Sequence, residues 1–152
     1  MINVDTMRFV DRYAGLPLCW CFSLLRLPSR LLGRTKLPPP RKILVIKLSE
    51  MGSTVLAYPA IETLKRKVPG LELWFLTFGP HRAILETMTP PEKVLAVDVS
   101  SPLRMFLSCA RLLRRLRREG IDTTIDMDFF SRFGAILAFL VCRGNRVGFH
   151  RR

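Results

Sequence analysis

Closely spaced metal and disulfide ligands are scarce in this sequence. It contains two histidines, far apart, and four cysteines that form no C-x-x-C pair. Metal sites and disulfide frameworks need such ligands at short, regular spacings. The sequence therefore predicts no metal site and no disulfide framework. We expect its cysteines to be free thiols that behave as small buried apolar residues in a reducing compartment.

Acidic residues are also few. There are 12 Asp and Glu against 25 Lys and Arg, so the formal net charge is +13, while 49% of the residues are hydrophobic and the mean hydropathy is +0.20. A chain that is both apolar and basic favours an anionic membrane surface as its partner. Nucleic acid is the competing partner, but the aromatics fall mostly inside apolar runs and do not interleave with basic residues, as base stacking requires. We therefore expect no nucleic-acid partner.

The basic segment at the amino terminus lacks an apolar run long enough to cross a bilayer. Its run YAGLPLCWCFSLL covers residues 13–25, and a spanning helix needs about 20 residues. We predict that residues 1–35 form a membrane-seeking helix that lies in the interface. A signal peptide is disfavoured because Asp11 and Arg12 directly precede the run and no cleavage site follows it. Packing of an amphipathic helix on the protein's own core is the other alternative.

Residues 36–42, KLPPPRK, predict a stiff proline-rich linker. From Ile43 onward, short apolar runs alternate with longer periodic stretches. The runs predict strands at 43–47, 71–77, 94–97, 123–127 and 145–149, and the stretches predict helices at 54–68, 80–88, 102–119 and 131–142. This α/β succession predicts a Rossmann-like parallel sheet with crossover helices on both faces.

The helix predicted at 102–119 has an apolar face and many arginines. The spacing of its apolar residues predicts one face formed by Leu103, Phe106, Leu107, Ala110 and Leu113. A solvated helix face is the ordinary interpretation of the arginines, several of which also complement the helix dipole. A second membrane-facing patch is the alternative.

The loop after the first predicted strand, residues 48–53, is the first candidate site. It contains Gly52 for close backbone approach, the hydroxyls of Ser49 and Ser53, the carboxylate of Glu50, and a helix amino terminus that favours anions. By itself this pattern equally fits Ser53 as a helix N-cap and Gly52 as a turn residue.

Three separated segments of the sequence resemble family 9 glycosyltransferases, the heptosyltransferase-like family. Residues 41–76 contain a strand, Lys-Leu-Ser-x-x-Gly, a helix with an internal proline, Pro-Gly and a second strand. Residues 120–140, GIDTTIDMDFFSRFGAILAFL, and 146–151, RVGFHR, follow in the same order and spacing.

The resemblance implies two facing Rossmann-like domains, the GT-B arrangement, of which residues 43–152 match the acceptor-side domain. It implies sugar transfer, with inversion, from a nucleotide-sugar of the ADP-heptose type to lipopolysaccharide or a related glycolipid. That reaction takes place at the cytoplasmic face of the inner membrane, so we expect a peripheral or monotopic location. We expect no cofactor, and expect the nucleotide-sugar to bind a donor domain that this chain lacks.

The resemblance also implies site residues. The family's catalytic aspartate follows the loop glycine, where this sequence has Ser53, and a serine hydroxyl cannot act as the base at neutral pH. Glu50 is the remaining carboxylate of the loop and the candidate base. Arg132 matches a family cation that could bind an acceptor phosphate or carboxylate. Asp126 and Asp128 fit helix capping or orientation of Arg132 better than a catalytic pair.

We therefore assign Ser49, Gly52, Ser53, Asp128 and Arg132 to acceptor binding and Glu50 to catalysis. At 152 residues the chain fits one domain with an appendage, so we expect it to be inactive without a donor domain. A binding module that kept the fold and lost the base is the alternative, with a nucleic-acid-binding domain as a weaker third.

Overall fold

A computed structural model describes residues 39–48, 51–87, 89–128, 132–142 and 144–148. Its centre is a five-stranded parallel sheet in the order β3-β2-β1-β4-β5. The strands are β1 Lys42–Ile46, β2 Glu72–Phe78, β3 Val94–Val97, β4 Thr123–Asp126 and β5 Asn145–Gly148. The helices are α1 Met51–Lys67, α2 Arg82–Glu86, α3 Pro102–Glu119 and α4 Arg132–Val141. The predicted Rossmann-like class is confirmed.

Strands β1, β2 and β3 are buried on both faces of the sheet, which explains why they are nearly continuous apolar runs. Because successive side chains of a strand point to opposite faces, β1 divides between two cores. Leu44 and Ile46 belong to the core beneath α3 and α4, whereas Ile43 and Val45 belong to the core beneath α1 and α2. Helices therefore cover both faces, as the α/β alternation predicts.

Local signals set the ends of α3, whose predicted bounds are confirmed. The Ser101 hydroxyl accepts a hydrogen bond from the Arg104 amide at 3.3 Å, and Pro102 occupies the first turn. Gly120 ends the helix with a positive φ of 71°, a conformation that glycine adopts without steric cost.

Two helix predictions were wrong at the boundary. Helix α1 begins at Met51, three residues before the predicted start, so Ser53 lies inside its first turn and is not its N-cap. The helix expected at 80–88 is split into a 3-10 turn at Gly79–His81 and the short α2. First-turn amides need no intrahelical partner, and the low helix propensity of Gly52 therefore matters less there.

The predicted apolar face of α3 was also wrong in part. Leu103, Phe106 and Leu107 are 69%, 71% and 53% exposed. Leu113 does pack inward, and the other residues that α3 packs against the core are Met105, Cys109, Leu112 and Leu116. The helix carries two apolar stripes, and the spacing rule alone does not tell which of them meets the sheet.

The predicted linker extends too far at its carboxyl end. Lys42 is the first residue of β1, and the Asp122 carboxylate accepts bonds from the amides of Arg41 and Lys42 at 2.8 and 2.9 Å. These bonds fix the start of β1 to the segment before β4. The predicted membrane-seeking helix at 1–35 and residues 36–38 of the predicted linker lie outside the described residues. None of the helices given above is long and apolar enough to cross a membrane.

Candidate functional site

The candidate site lies where the chain reverses its direction across the sheet. From β1 the chain adds β2 and β3 on one side, then returns to add β4 and β5 on the other. The carboxyl ends of the neighbours β1 and β4, paired through Ile46 and Asp126, lie at this switch point. Ligands of open α/β sheets bind in the crevice outside such a point.

A buried ion pair joins the loops that follow these two strands. The Lys47 ammonium lies 3.0 Å from one carboxylate oxygen of Asp128, and the two side chains are 3% and 2% exposed. The other Asp128 oxygen accepts the Leu48 amide at 2.8 Å. Because both carboxylate oxygens bind the chain just before residues 49 and 50, Asp128 fixes the direction in which that loop leaves β1.

Asp126 is a second buried carboxylate at this edge. Its oxygen accepts the Asp128 amide at 3.1 Å, and a Cβ added to Gly134, in the first turn of α4, would lie 2.9 Å from both of its oxygens. Burial raises the pKa of Asp126 to about 6, opposed by the Asp128 amide, and the Asp128 charge adds to the rise while Lys47 opposes it. The absence of a side chain at Gly134 lets α4 start directly above this carboxyl group.

Two helices begin around the ion pair. Gly52, which is exposed, and Ser53, which is half-buried, lie in the first turn of α1, and the half-buried Arg132 is the first residue of α4. The helix dipole makes both ends favourable for anions. Together with the Arg132 guanidinium they give this edge groups that can bind a phosphate or a carboxylate, alongside the buried carboxyl groups of Asp126 and Asp128.

The predicted site residues divide into three groups. Gly52, Ser53 and Arg132 lie in the first turns of α1 and α4, and their contact with an acceptor stays a prediction. Asp128 is buried and bonded to Lys47 and Leu48, so its observed partners give it a positioning role, and its contact with an acceptor stays a prediction. Ser49 and Glu50, the predicted base, lie outside the described residues.

An aromatic pair and exposed apolar side chains lie near this edge. The rings of Phe78, at the end of β2, and Phe133, in the first turn of α4, stack with centroids 6.3 Å apart. On the opposite face, α1 exposes Val55, Leu56 and Tyr58 just after Ser53. Across the residues that the structure describes, no three His, Cys, Asp or Glu side chains are grouped to hold a metal ion.

Lys47 and Asp126 were not assigned to the site from the sequence. A signal for Lys47 was present, since a lysine that ends a buried strand needs an acidic partner. The sequence offers both Asp126 and Asp128 as that partner, and only the loop geometry decides between them. For Asp126, the signal was a carboxylate followed, eight residues later, by the glycine of an apolar helix.

Fold and site together define a doubly wound α/β domain with its candidate crevice at the switch point. This fold is shared with part of the solved structures of family 9 glycosyltransferases. The chain is similar to E. coli heptosyltransferase WaaC with ADP, at 19% identity and a TM-score of 0.56, over 70% of this chain and 35% of that chain. The same enzyme with ADP-2-deoxy-2-fluoro heptose gives 19% identity and 0.56 over 70% and 36%. The glycosyl transferase family 9 structure from Veillonella parvula gives 14% identity and 0.59 over 77% and 38%.

No family model and no curated protein matches the sequence. The chain spans little more than a third of the solved structures it resembles, 35% to 38% of their length. The likeness therefore establishes the shared fold.

Proposed function

We propose that this chain is the acceptor-side part of an inverting glycosyltransferase of the heptosyltransferase-like family. It would act with a donor-binding part to transfer a sugar from a nucleotide-sugar of the ADP-heptose type to lipopolysaccharide or a related glycolipid. The observation that carries the proposal is the Lys47–Asp128 pair. It holds Leu48 at the switch point of a sheet whose fold is shared with solved family 9 glycosyltransferases.

The donor assignment rests on what the similar enzyme binds. The E. coli heptosyltransferase was solved with ADP and with an ADP-2-deoxy-2-fluoro heptose. Since the present chain covers 35% and 36% of those chains, we assign the nucleotide-sugar to a part of the enzyme beyond this domain. Residues 43–152 alone should bind acceptor without turnover.

The acceptor assignment rests on the charge of the crevice. The starts of α1 and α4, with Arg132 on the latter, form a positive end for a phosphate or carboxylate of the acceptor. Glu50 takes the proton from the acceptor hydroxyl, since Ser53 cannot. Lys47 and Asp128 position the loop that carries Glu50. Residues 1–35 contribute attraction to the anionic cytoplasmic face of the membrane.

The test uses a two-domain enzyme, made by fusing this chain to the donor domain of a close relative. Glu50→Gln keeps size and polarity but removes the base, so turnover should fall on the order of 100-fold or more. Ser53→Ala is the matched control on the same loop, and its effect should be several-fold at most. Arg132→Ala should raise KM more than it lowers kcat if its contact is equally strong in the ground and transition states. An active fusion that is indifferent to Glu50→Gln would eliminate the base assignment.

The second candidate is a binding module that kept the fold and lost catalysis. Ser53, at the position where the family has its catalytic aspartate, is the observation that favours it. A fusion that binds glycolipid but is inert in every variant would support the module. Activity that appears with Ser53→Asp would show instead that the chain descends from an enzyme that used the aspartate.

A further inference from the structure

The outward face of α3 combines exposed apolar and basic side chains. Leu103 and Phe106 are 69% and 71% exposed, and Leu107 is 53% exposed. Leu107 and the half-buried Ala110 lie along one shallow groove with Arg111, Arg114 and Arg118. Because the same helix buries Leu116 and its neighbours on the other side, this exposed stripe is not needed to hold α3 on the sheet.

The two kinds of side chain are separated along the helix. The apolar residues occupy the first turns of α3, next to the carboxyl edge of the sheet where β3 ends. Apart from Arg104, which is exposed in the first turn, the arginines follow, with Arg118 about 22 Å beyond Leu103 at 1.5 Å per residue. A helix inclined with its first turns towards a bilayer would insert the apolar residues into the acyl boundary and hold the arginines at the level of the phosphates.

Charge decides which partner fits this face. Helix α3 carries six arginines and one acidic residue, Glu119. A second copy of this chain would bring the same positive charges against it. Residues 1–38 would do so too, since they contain six basic and two acidic residues. The complementary partner is therefore anionic.

The exposed apolar residues distinguish lipid from nucleic acid. The arginines alone would also fit a nucleic acid, since they can neutralise its phosphates. A nucleic acid, however, offers no apolar layer to receive Leu103, Phe106 and Leu107. One phenylalanine between two leucines is also a poor stacking platform. We propose that the outward face of α3 is a docking surface for an anionic lipid bilayer. Docked in this way, the chain holds the carboxyl edge of its sheet close to the bilayer, and if the proposed function is correct, close to a glycolipid acceptor.

The experiment measures the partition coefficient of the full chain on vesicles of phosphatidylcholine, with or without phosphatidylglycerol and free of glycolipid. Binding of acceptor plays no part in it, so its outcome is independent of the proposed sugar transfer. Phe106→Ser/Leu107→Ser should lower partitioning to the anionic vesicles by about 10-fold or more. Membrane attraction by residues 1–35 would multiply the partition coefficients of the unchanged chain and of the variant by the same factor. The ratio of the two coefficients would therefore still report on α3.

Matched controls separate this face from general stickiness. Val55→Ser/Leu56→Ser changes residues that are 50% and 82% exposed on α1, on the opposite face of the sheet, and should alter partitioning by less than about twofold. Arg111→Gln/Arg114→Gln should weaken binding to anionic vesicles by about 10-fold and leave neutral vesicles unaffected.

Four results of the binding measurements would overturn the proposal. The first two are an α3 variant that partitions like the unchanged chain and equal losses from the α3 and α1 variants. The third is an arginine variant that loses binding equally on neutral vesicles. The fourth is a loss of DNA affinity in Phe106→Ser/Leu107→Ser that matches its loss of lipid affinity. Thermal unfolding without lipid completes the test. An unchanged Tm supports an open docking face, whereas a Tm lowered by several degrees would show that another part of the chain covers the stripe and would also overturn the proposal.

Discussion

Positive charge serves two different purposes at the switch point and on the outer face of α3. Lys47 is 3% exposed and bonded to Asp128, so its charge is used entirely within the fold. Arg111, Arg114 and Arg118 lie exposed beside Leu107, and their charge is directed at the surroundings. A buried charge with a local partner is therefore structural, whereas an exposed charge is available to a ligand. The net charge of +13 counts both kinds together.

Removal of Asp128, the acidic member of the buried pair, should give the largest loss of stability. Asp128→Ala would leave the Lys47 ammonium buried without its partner and the Leu48 amide without its acceptor, at a cost of about 3–5 kcal/mol in the free energy of unfolding. Urea denaturation measures it. The control is Glu86→Ala, which breaks the exposed ion pair with Arg82 and should cost less than about 1 kcal/mol.

The double variant Lys47→Met/Asp128→Leu sharpens that test. Replacing both charges by apolar side chains should recover much of the lost stability, because no unpaired charge is left in the interior. In the two-domain enzyme the same variant should still lower kcat, since the direction of the 48–53 loop is no longer fixed. Similar small losses from Asp128→Ala and Glu86→Ala would contradict the structural role of the buried pair.

The two sides of α3 provide the next comparison. Leu116 is fully buried beneath the helix, whereas Leu103 is 69% exposed on the outer stripe. Leu116→Ala should cost about 2–5 kcal/mol through lost burial and the cavity left behind. Leu103→Ala should change stability by no more than about 0.5 kcal/mol. Denaturant midpoints of the two variants measure the difference, and equal losses would show that the outer stripe also belongs to a packed interface.

The smallest predicted effect is a pH dependence of stability that Asp126 causes. The pKa of Asp126 is raised from 3.8 to about 6 in the folded chain, so the folded state holds this proton more tightly than the unfolded state does. Its contribution to stability is present below about pH 4 and is lost as pH rises through 6, by up to roughly 2–3 kcal/mol. The measurement is the difference in unfolding free energy between the unchanged chain and Asp126→Asn across this range. A difference that does not vary with pH would rule out the raised pKa.

Much of the fold could be predicted because its signals are local. Pro102 and Gly120 mark the two ends of α3 within the sequence itself, and the predicted bounds of α3 and β3 are confirmed. The inward face of α3 could not be predicted in the same way. Its two apolar stripes both satisfy helical spacing, and the choice between them depends on contacts with Trp74 and Leu95 in distant strands.

The candidate site was less predictable for the same physical reason. Gly52 and Ser53 could be located because they follow a recognisable strand. The bond between Lys47 and Asp128 joins residues 81 positions apart, and no local pattern specifies it. Arg132 borders the crevice at the start of α4, and its contact with an acceptor stays a prediction, as do the roles of Ser49 and Glu50.

The buried pair has a consequence for how this sequence can change during evolution. A mutation at either position 47 or position 128 leaves the other charge stranded in the interior, so single changes at these positions should be rare among functional descendants. We expect the sheet to tolerate coordinated replacement of both residues, but the loop that leaves β1 would then lose its fixed direction. Lineages under selection for that loop should therefore retain both residues, whereas lineages that have lost the function should be the ones in which both positions become apolar together.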